Sequence, residues 1–151
     1  MPQSLAQVYL HIVFSTKERR PFLDDPTPRD EMHKILGAEC NELDCPVLSV
    51  GGVADHAHIL CRLGRTISIA DLVKETKRES TQWVKQKWIR LGEFHWQAGY
   101  GAFSISPAHV EAVRAYVANQ QEHHRQESFQ DEFRRLLTKY GLEWDERYVW
   151  D

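Results

Sequence analysis

The sequence lacks any long apolar run, and no stretch approaches the roughly 20 consecutive apolar residues of a membrane-spanning helix. Its first residues show no basic region followed by an apolar stretch, the pattern of a secretory signal peptide. Internal repeats and low-complexity segments are also absent. These absences argue against membrane-spanning and secreted proteins, and we therefore expect no membrane partner and a cytoplasmic location.

Cysteine is scarce, with only Cys40, Cys45 and Cys61 in the chain. An odd number cannot pair completely within one chain, and no second close pair completes a four-cysteine zinc site. We therefore expect buried, reduced thiols.

An excess of positive charge is missing too, since the net charge of −3 argues mildly against a nucleic-acid partner. The distribution of charge is uneven, however. Residues 62–90 carry eight basic and three acidic groups, whereas residues 111–151 carry six basic and nine acidic groups. A local basic face can hold a phosphate backbone, although a solvated helix surface is the ordinary explanation of such a run.

The length of 151 residues is that of one domain with a single core. Four segments rich in β-branched, aromatic or small residues predict strands: 8–15, 46–53, 56–63 and 97–104. Four segments with capping residues or a helical apolar period predict helices: 27–42, 68–88, 106–124 and 128–140.

This order of elements is a split β-α-β repeat followed by two helices. We therefore predict an α+β fold with a ferredoxin-like antiparallel sheet, helices on one face, and additional C-terminal helices. The whole chain, 1–151, is expected to form one domain with a helical extension from about residue 128. Thr27 is the predicted N-cap of the first helix, and residues 142–150 are predicted to form a short extended segment.

His56 and His58 flank Ala57 on a predicted strand. Because alternate side chains of a strand point to the same face, both imidazoles are expected to lie close enough to share one ion. Taken alone the motif is weak, and two unrelated histidines explain it better.

Tyr116 and Gln120 lie four residues apart on a predicted helix, so they share one face, one turn from each other. A glutamine oxygen with two imidazoles suits Mg²⁺ or Mn²⁺. Taken alone, the pair is better explained by a core tyrosine beside a surface glutamine. Combined with the histidines, however, the pair predicts a site where a tyrosine attacks a DNA phosphate with the help of a metal ion.

No dedicated general base is evident in the sequence. Three neighbouring residues are candidates without an assigned position: Glu122, His123 and His124. Their run resembles a metal-binding box, but we interpret it as the polar end of the tyrosine helix.

Five segments carry a resemblance to a known family: VYLHIVFSTKERRPFL, GGVADHAHILCRL, ISIADLVKETKRESTQWV, FHWQAGYGAFSIS and YVANQQEHHR. The chain resembles the IS200/IS605 family of single-domain tyrosine transposases, within the HUH (His-hydrophobic-His) endonucleases. The segments cover most of the chain in the family's order, and their combination is far more specific than any one of them. Ala57 departs slightly from the motif because it is a minimal hydrophobic residue, which does not alter the ligand geometry.

The resemblance implies that His56, His58 and Gln120 bind the metal and that Tyr116 is the nucleophile. It implies cleavage of single-stranded DNA to a 5′-phosphotyrosine and a free 3′-hydroxyl, then rejoining that excises or inserts the element. It also implies recognition of DNA hairpins, and a homodimer in which one subunit's tyrosine helix can complete the other's histidine site.

Seven basic residues are expected to contact the DNA: Lys17, Arg19 and Arg20 in a loop, and Lys74, Lys77, Arg78 and Lys85 on a helix. Two alternatives stay open. One is a domesticated module that binds hairpin DNA without mobilising its own gene, and the other is a metal-dependent hydrolase that uses the histidines without the tyrosine.

Overall fold

A four-stranded antiparallel sheet forms the centre of the computed structural model, which describes residues 2–151. Its strands are β1 (Tyr9–Ser15), β2 (Val47–Val53), β3 (His56–Arg62) and β4 (Gly101–Ile105). They lie in the order β2-β3-β1-β4, and each neighbouring pair is antiparallel. This arrangement confirms the predicted ferredoxin-like sheet of an α+β fold.

Five α-helices accompany the sheet: α1 (Pro26–Glu42), α2 (Ile69–Lys87), α3 (Val110–Ala118), α4 (Gln120–His123) and α5 (Phe129–Lys139). Three short 3₁₀ turns occupy Lys17–Arg19, Ile89–Leu91 and Pro107–His109. None of the helices in residues 2–151 combines the length and the apolar character needed to cross a membrane.

Capping residues set the helix starts, and one predicted cap was wrong. Ser68 and Ser128 accept hydrogen bonds from backbone N–H groups three residues later, as the sequence predicts. Helix α1, in contrast, is capped by Asp25 rather than Thr27, because the Asp25 carboxylate accepts from the Thr27 N–H at 3.0 Å. Pro26 then occupies the first helical position, where its missing N–H is not needed.

Three other predicted boundaries also differ. Strand β4 starts at Gly101, because residues 97–99 form a loop whose three carbonyls accept hydrogen bonds from the Lys77 ammonium. The predicted helix over 106–124 is interrupted at Asn119, whose φ and ψ of −103° and 30° are not helical. The predicted extended segment over 142–150 is not a strand, since residues 142–145 belong to no regular element and residues 146–150 form turns.

Side chains that alternate along β1 belong to two layers. Leu10, Ile12 and Phe14 are buried in the main core with residues of α1 and α2. Val13 points to the other face, where it joins a cluster formed mainly by α5. The sheet therefore separates a main core under α1 and α2 from a second layer under the C-terminal helices.

The three cysteines are buried and unpaired, as expected for reduced thiols: Cys40, Cys45 and Cys61. All three belong to the main core, where they act as small apolar residues.

Candidate metal and tyrosine site

His56 and His58 point from strand β3 into the second layer, beneath the C-terminal helices. Both side chains are fully buried, and their ring centroids are 5.1 Å apart. Between them, Ala57 points into the main core. The period of two along a strand thus places both imidazoles in one site.

Helix α3 packs directly on strand β2, where a glycine permits the close approach. A Cβ atom at Gly51 would lie 1.9 Å from the carbonyl oxygen of Val117, so a larger residue would push the helix off the sheet. The Val117 side chain is buried against the sheet. The neighbouring Tyr116 ring lies 5.9 Å from the His58 ring, measured between centroids. The histidines and the tyrosine therefore meet within one chain.

Gln120 also reaches this site, despite the interruption of the helix just before it. Its side chain is buried, and its Oε1 lies 3.2 Å from Nε2 of His56. The Gln120 amide donates a hydrogen bond to the Tyr116 carbonyl at 3.2 Å. This bond holds the amide oxygen toward the imidazole.

Glu132 lies at the centre of the site and was missed by the sequence reasoning. It is fully buried, although glutamate is almost never buried without a partner. Its Oε1 lies 2.9 Å from Nε2 of His124, 3.0 Å from Nε2 of His58 and 3.4 Å from Nε2 of His56. A buried carboxylate with three imidazoles requires protons or a cation for charge balance.

A signal for Glu132 exists in the sequence. The apolar stripe of α5 contains Phe129, Phe133 and Leu136, and Glu132 falls on the same face. An acidic residue on the buried stripe of an amphipathic helix suggests a functional group. The interpretation of His124 as part of the polar end of the tyrosine helix is likewise corrected, since His124 turns inward to Glu132.

Two further hydrogen bonds orient the strand histidines. Nδ1 of His56 lies 2.7 Å from a carboxylate oxygen of Asp55. Nδ1 of His58 lies 2.7 Å from Nε2 of His11 on the neighbouring strand. Partners of this kind fix a metal-binding imidazole in one orientation, and here they leave both Nε2 atoms facing Glu132.

The charges within the site are strongly coupled. Burial alone would lower the pKa of His56, but hydrogen bonds to Asp55 and Glu132 outweigh it and raise that pKa to about 9. Burial lowers the pKa of His58 to about 4. Burial would raise the pKa of Glu132, but the hydrogen bonds with His124, His56 and His58 hold it well below its usual range. Of the two strand histidines, His56 is therefore the one whose protonated form is favoured beside the Glu132 carboxylate.

The Tyr116 hydroxyl donates a hydrogen bond to Glu132 and accepts one from Arg135 at 2.8 Å. Burial, followed by the negative charge of Glu132, raises the pKa of the phenol, whereas Arg135 lowers it. The tyrosine is therefore held in place but not ionised at neutral pH.

The donor atoms fit a divalent cation. Four of them, from His56, His58, His124 and Glu132, all lie within 4.8 Å of one another. Adjacent ligands about 2.1 Å from an octahedral ion are about 3 Å apart, which agrees with the separations of 2.9 to 3.4 Å around Glu132 Oε1. His124 and Glu132 are thus candidate donors in addition to the set expected from the sequence, in which Gln120 was the third member.

The basic residues expected to contact DNA lie in two places. Lys17, Arg19 and Arg20 follow the end of β1 at which Ser15 pairs with His56, so this loop borders the site. The other four lie on α2, on the opposite face of the sheet: Lys74, Lys77, Arg78 and Lys85.

Two residues of α2 are occupied by internal contacts. The ammonium of Lys77 donates to the carbonyls of Gln97 and Gly99, both at 2.7 Å. Arg78 forms ion pairs at 2.6 Å and 2.8 Å with Glu75 and Glu79. The Lys77 ammonium in particular is directed toward the loop at 97–99 and not toward solvent, where DNA would bind.

A sequence comparison matches residues 4–120 to the family described as transposase IS200-like. The chain belongs to the IS200-like transposase family. The match includes both strand histidines, Tyr116 and Gln120, and ends before His124 and Glu132. A search of curated proteins finds no match.

Two solved transposase structures share the fold of this family member. A candidate transposase from Deinococcus radiodurans R1 is 21% identical, with a TM-score of 0.64 over 80% of this chain and 95% of that one. A REP-associated tyrosine transposase bound to a REP hairpin is 13% identical, with a TM-score of 0.52 over 78% of this chain and 67% of that one. At these identities the likeness concerns the fold.

Proposed function

We propose that this protein is a metal-assisted single-strand DNA transposase with Tyr116 as its nucleophile. The observation that carries the proposal is the position of the Tyr116 hydroxyl, which is hydrogen-bonded to the carboxylate that contacts His56 and His58. Membership of the IS200-like family supports this function.

The reaction exchanges one phosphodiester bond for another. The phenolic oxygen of Tyr116 attacks phosphorus, the bond from phosphorus to the 3′-oxygen breaks, and a 5′-phosphotyrosine and a free 3′-hydroxyl result. Glu132 accepts a hydrogen bond from the Tyr116 hydroxyl and so orients it. The phenolic proton passes to water, and the departing 3′-oxygen takes a proton from water. Attack of a 3′-hydroxyl on the phosphotyrosine reverses these changes, so excision and insertion need no external energy source.

His56, His58 and Glu132 would hold the divalent ion, Mg²⁺ or Mn²⁺, with His124 and Gln120 as adjacent donors. Such an ion polarises the phosphoryl oxygens and neutralises the charge that develops during attack. The protein contributes orientation, because Asp55 and the neighbouring strand fix the imidazoles before the substrate arrives.

We further propose that the DNA substrate carries hairpin ends, as does the DNA bound to the REP-associated neighbour. The exposed loop residues Lys17 and Arg20 are the best placed to contact its backbone, because the loop borders the site. Lys74, Arg78 and Lys85 form a second basic surface on α2. Lys77 is left out because its ammonium is directed inward.

A homodimer remains part of the proposal, but it is not needed to bring Tyr116 to the histidines. The tyrosine contacts the site of its own chain, with its ring 6.0 Å from His11 and 5.9 Å from His58. We therefore propose cleavage in cis.

The test uses single-stranded oligonucleotides from the DNA that flanks the gene, with Mg²⁺ or Mn²⁺. Wild type is expected to form a covalent protein–DNA adduct on a denaturing gel, and Tyr116→Phe is expected to form none. Tyr140→Phe is the matched control, because Tyr140 stacks on Phe103 outside the site. Free products without an adduct would indicate a hydrolase, and binding without cleavage would indicate a hairpin-binding module.

A further inference from the structure

Arg135 is the cationic group nearest to the proposed nucleophile. Its Nη2 donates a hydrogen bond to the Tyr116 hydroxyl at 2.8 Å, and its guanidinium carbon lies 5.7 Å from the centroid of the tyrosine ring. It extends from α5, one turn after Glu132. The phenol is thus held between a carboxylate on its inner side and a guanidinium on its outer side.

Glu127 fixes the direction of this guanidinium. Its two carboxylate oxygens accept from Nε and Nη2 of Arg135, at 3.0 Å and 3.1 Å. Paired contacts of this type hold the planar guanidinium in one orientation. Within residues 2–151, Nη1 of Arg135 makes no hydrogen bond, so its two N–H groups stay available to a ligand.

Arg135 also lines a cavity at the surface, together with the proposed nucleophile. Tyr116 and Arg135 line the same surface cavity of about 630 Å³, and the Arg135 side chain is 46% exposed. The other charged residues of this lining are acidic: Glu122, Glu127 and Asp131. In this lining, Arg135 is therefore the one permanent cation that can offset the charge of a phosphate.

We propose that Arg135 binds the scissile phosphodiester and holds it against Tyr116 for in-line attack. The inference rests on the proposed transposase function. For attack, the phosphorus must come within about 3 to 3.5 Å of the phenolic oxygen. Because Nη2 already contacts that oxygen, Nη1 of the same rigid group reaches a non-bridging oxygen of the phosphate. Arginine suits this role because its fork of donors matches phosphate geometry and keeps its charge at any physiological pH.

Arg135 lies in the segment 121–151, beyond the residues that match the family. The C-terminal helix therefore adds a catalytic group to the histidine and tyrosine motifs. This residue contacts the substrate but makes no bond to it, so the exchange of bonds at phosphorus is unchanged.

The test compares Arg135→Gln and Arg135→Lys with Arg134→Gln. Arg134 is the matched control because it is the neighbouring residue of the same helix but does not line the cavity. Its guanidinium pairs with Glu146 and Asp131 and makes no hydrogen bond to Tyr116. We expect Arg135→Gln to slow adduct formation by roughly 100-fold to 1,000-fold, as for the loss of one donor to a reacting oxyanion. Arg135→Lys should recover part of the rate, and Arg134→Gln should react like wild type. The affinity for a hairpin oligonucleotide that lacks the cleavage site, measured by fluorescence anisotropy, should be equal in all four proteins.

A second measurement uses inorganic phosphate as the probe. Titration of ¹⁵N-labelled protein with phosphate should shift the Nε–H signal of Arg135 until it saturates, and leave the Arg134 signal in place. Equal adduct rates for Arg135→Gln and Arg134→Gln would overturn the inference, as would an unresponsive Arg135 signal. If wild type forms no adduct but phosphate still moves the Arg135 signal, the transposase proposal fails while the phosphate site stands.

Discussion

One carboxylate connects the two halves of the site, since Glu132 accepts a hydrogen bond from the Tyr116 hydroxyl. Its second oxygen, Oε1, lies 3.0 Å from Nε2 of His58. The proposed nucleophile and the candidate ligand cluster are therefore parts of one hydrogen-bonded unit. A change at Glu132 should affect metal binding and DNA cleavage together.

Glu132→Gln is expected to weaken Mn²⁺ binding by more than the roughly 10-fold to 100-fold that loss of a residue orienting a ligand costs, and to reduce adduct formation. The glutamine keeps the shape of the side chain but removes the charge that attracts the cation. Isothermal titration calorimetry measures the affinity, with Glu143→Gln as a control because Glu143 is exposed on the tail. Wild-type Mn²⁺ affinity in Glu132→Gln would show that this carboxylate is not a ligand.

Mn²⁺ should stabilise the folded protein, because the assembled ligand cluster exists only in the native state. At a free concentration 100 times the Kd, the gain in unfolding free energy is about 2.7 kcal/mol. Thermal unfolding with and without Mn²⁺ measures it, and His56→Ala and His58→Ala should lose the gain.

Adduct formation should also be lost in His56→Ala, in His58→Ala and in wild type treated with EDTA. Hairpin binding should largely persist in all three cases. Parallel loss of hairpin binding would mean that the metal has a structural rather than a catalytic role.

Cleavage in cis predicts that inactive variants cannot rescue each other. Tyr116→Phe keeps the histidines and His58→Ala keeps the tyrosine, so a site shared between subunits would regain one functional centre in a mixed dimer. We expect the mixture to form no adduct, because Tyr116 contacts its own chain's histidines. Recovered activity after the two proteins are unfolded and refolded together would establish a shared site.

Lys77→Met is expected to lower stability without weakening hairpin binding. Its ammonium satisfies the carbonyls of residues 97–99, and loss of that donor should cost about 1 to 3 kcal/mol. Lys74→Met on the same helix is the control, since Lys74 is exposed and its loss should change stability by less than about 0.5 kcal/mol. Urea unfolding and hairpin anisotropy distinguish the two roles. Weaker hairpin binding by folded Lys77→Met would show that Lys77 contacts the DNA after all.

His33 should make the protein sensitive to acid. Its Nε2 is buried without a hydrogen-bond partner among residues 2–151, and burial lowers its pKa from 6.5 to about 4. Between these values the unfolded chain binds a proton that the folded chain does not, so stability falls as the pH falls from 6.5 to 4 and then levels off.

His33→Gln removes this titration. The difference in unfolding free energy, variant minus wild type, should therefore rise by about 2 to 3 kcal/mol as the pH falls from 7 to 4. Urea unfolding at both pH values measures it. An equal difference at both pH values would show that His33 does not titrate in this range.

The strand histidines illustrate what local pattern can predict. The period of two alone places His56 and His58 on one face of a strand, and the observed β3 has both imidazoles in one site. The capping serines Ser68 and Ser128 also set their helix starts as expected. Such features depend on contacts within a few residues, which a sequence displays directly.

The partners of these residues come from distant parts of the chain. Glu132 is 74 residues from His58, and nothing near the histidines indicates that α5 would cover them. Lys77 could not be distinguished from its exposed neighbours, because its acceptors are the carbonyls of a loop 20 to 22 residues away. The packing of helices on a sheet decides such contacts.

The sequence by itself determined the order of strands and helices, the shared face of His56 and His58, and the family. These follow from side-chain period, capping and motif. Only the tertiary structure decided that α5 closes over the site, that Glu132 connects the tyrosine to the imidazoles, and that Arg135 lies beside Tyr116. The physical reason is that a buried carboxylate and a guanidinium acquire their roles from the charges packed around them, and those charges belong to separate segments of the chain.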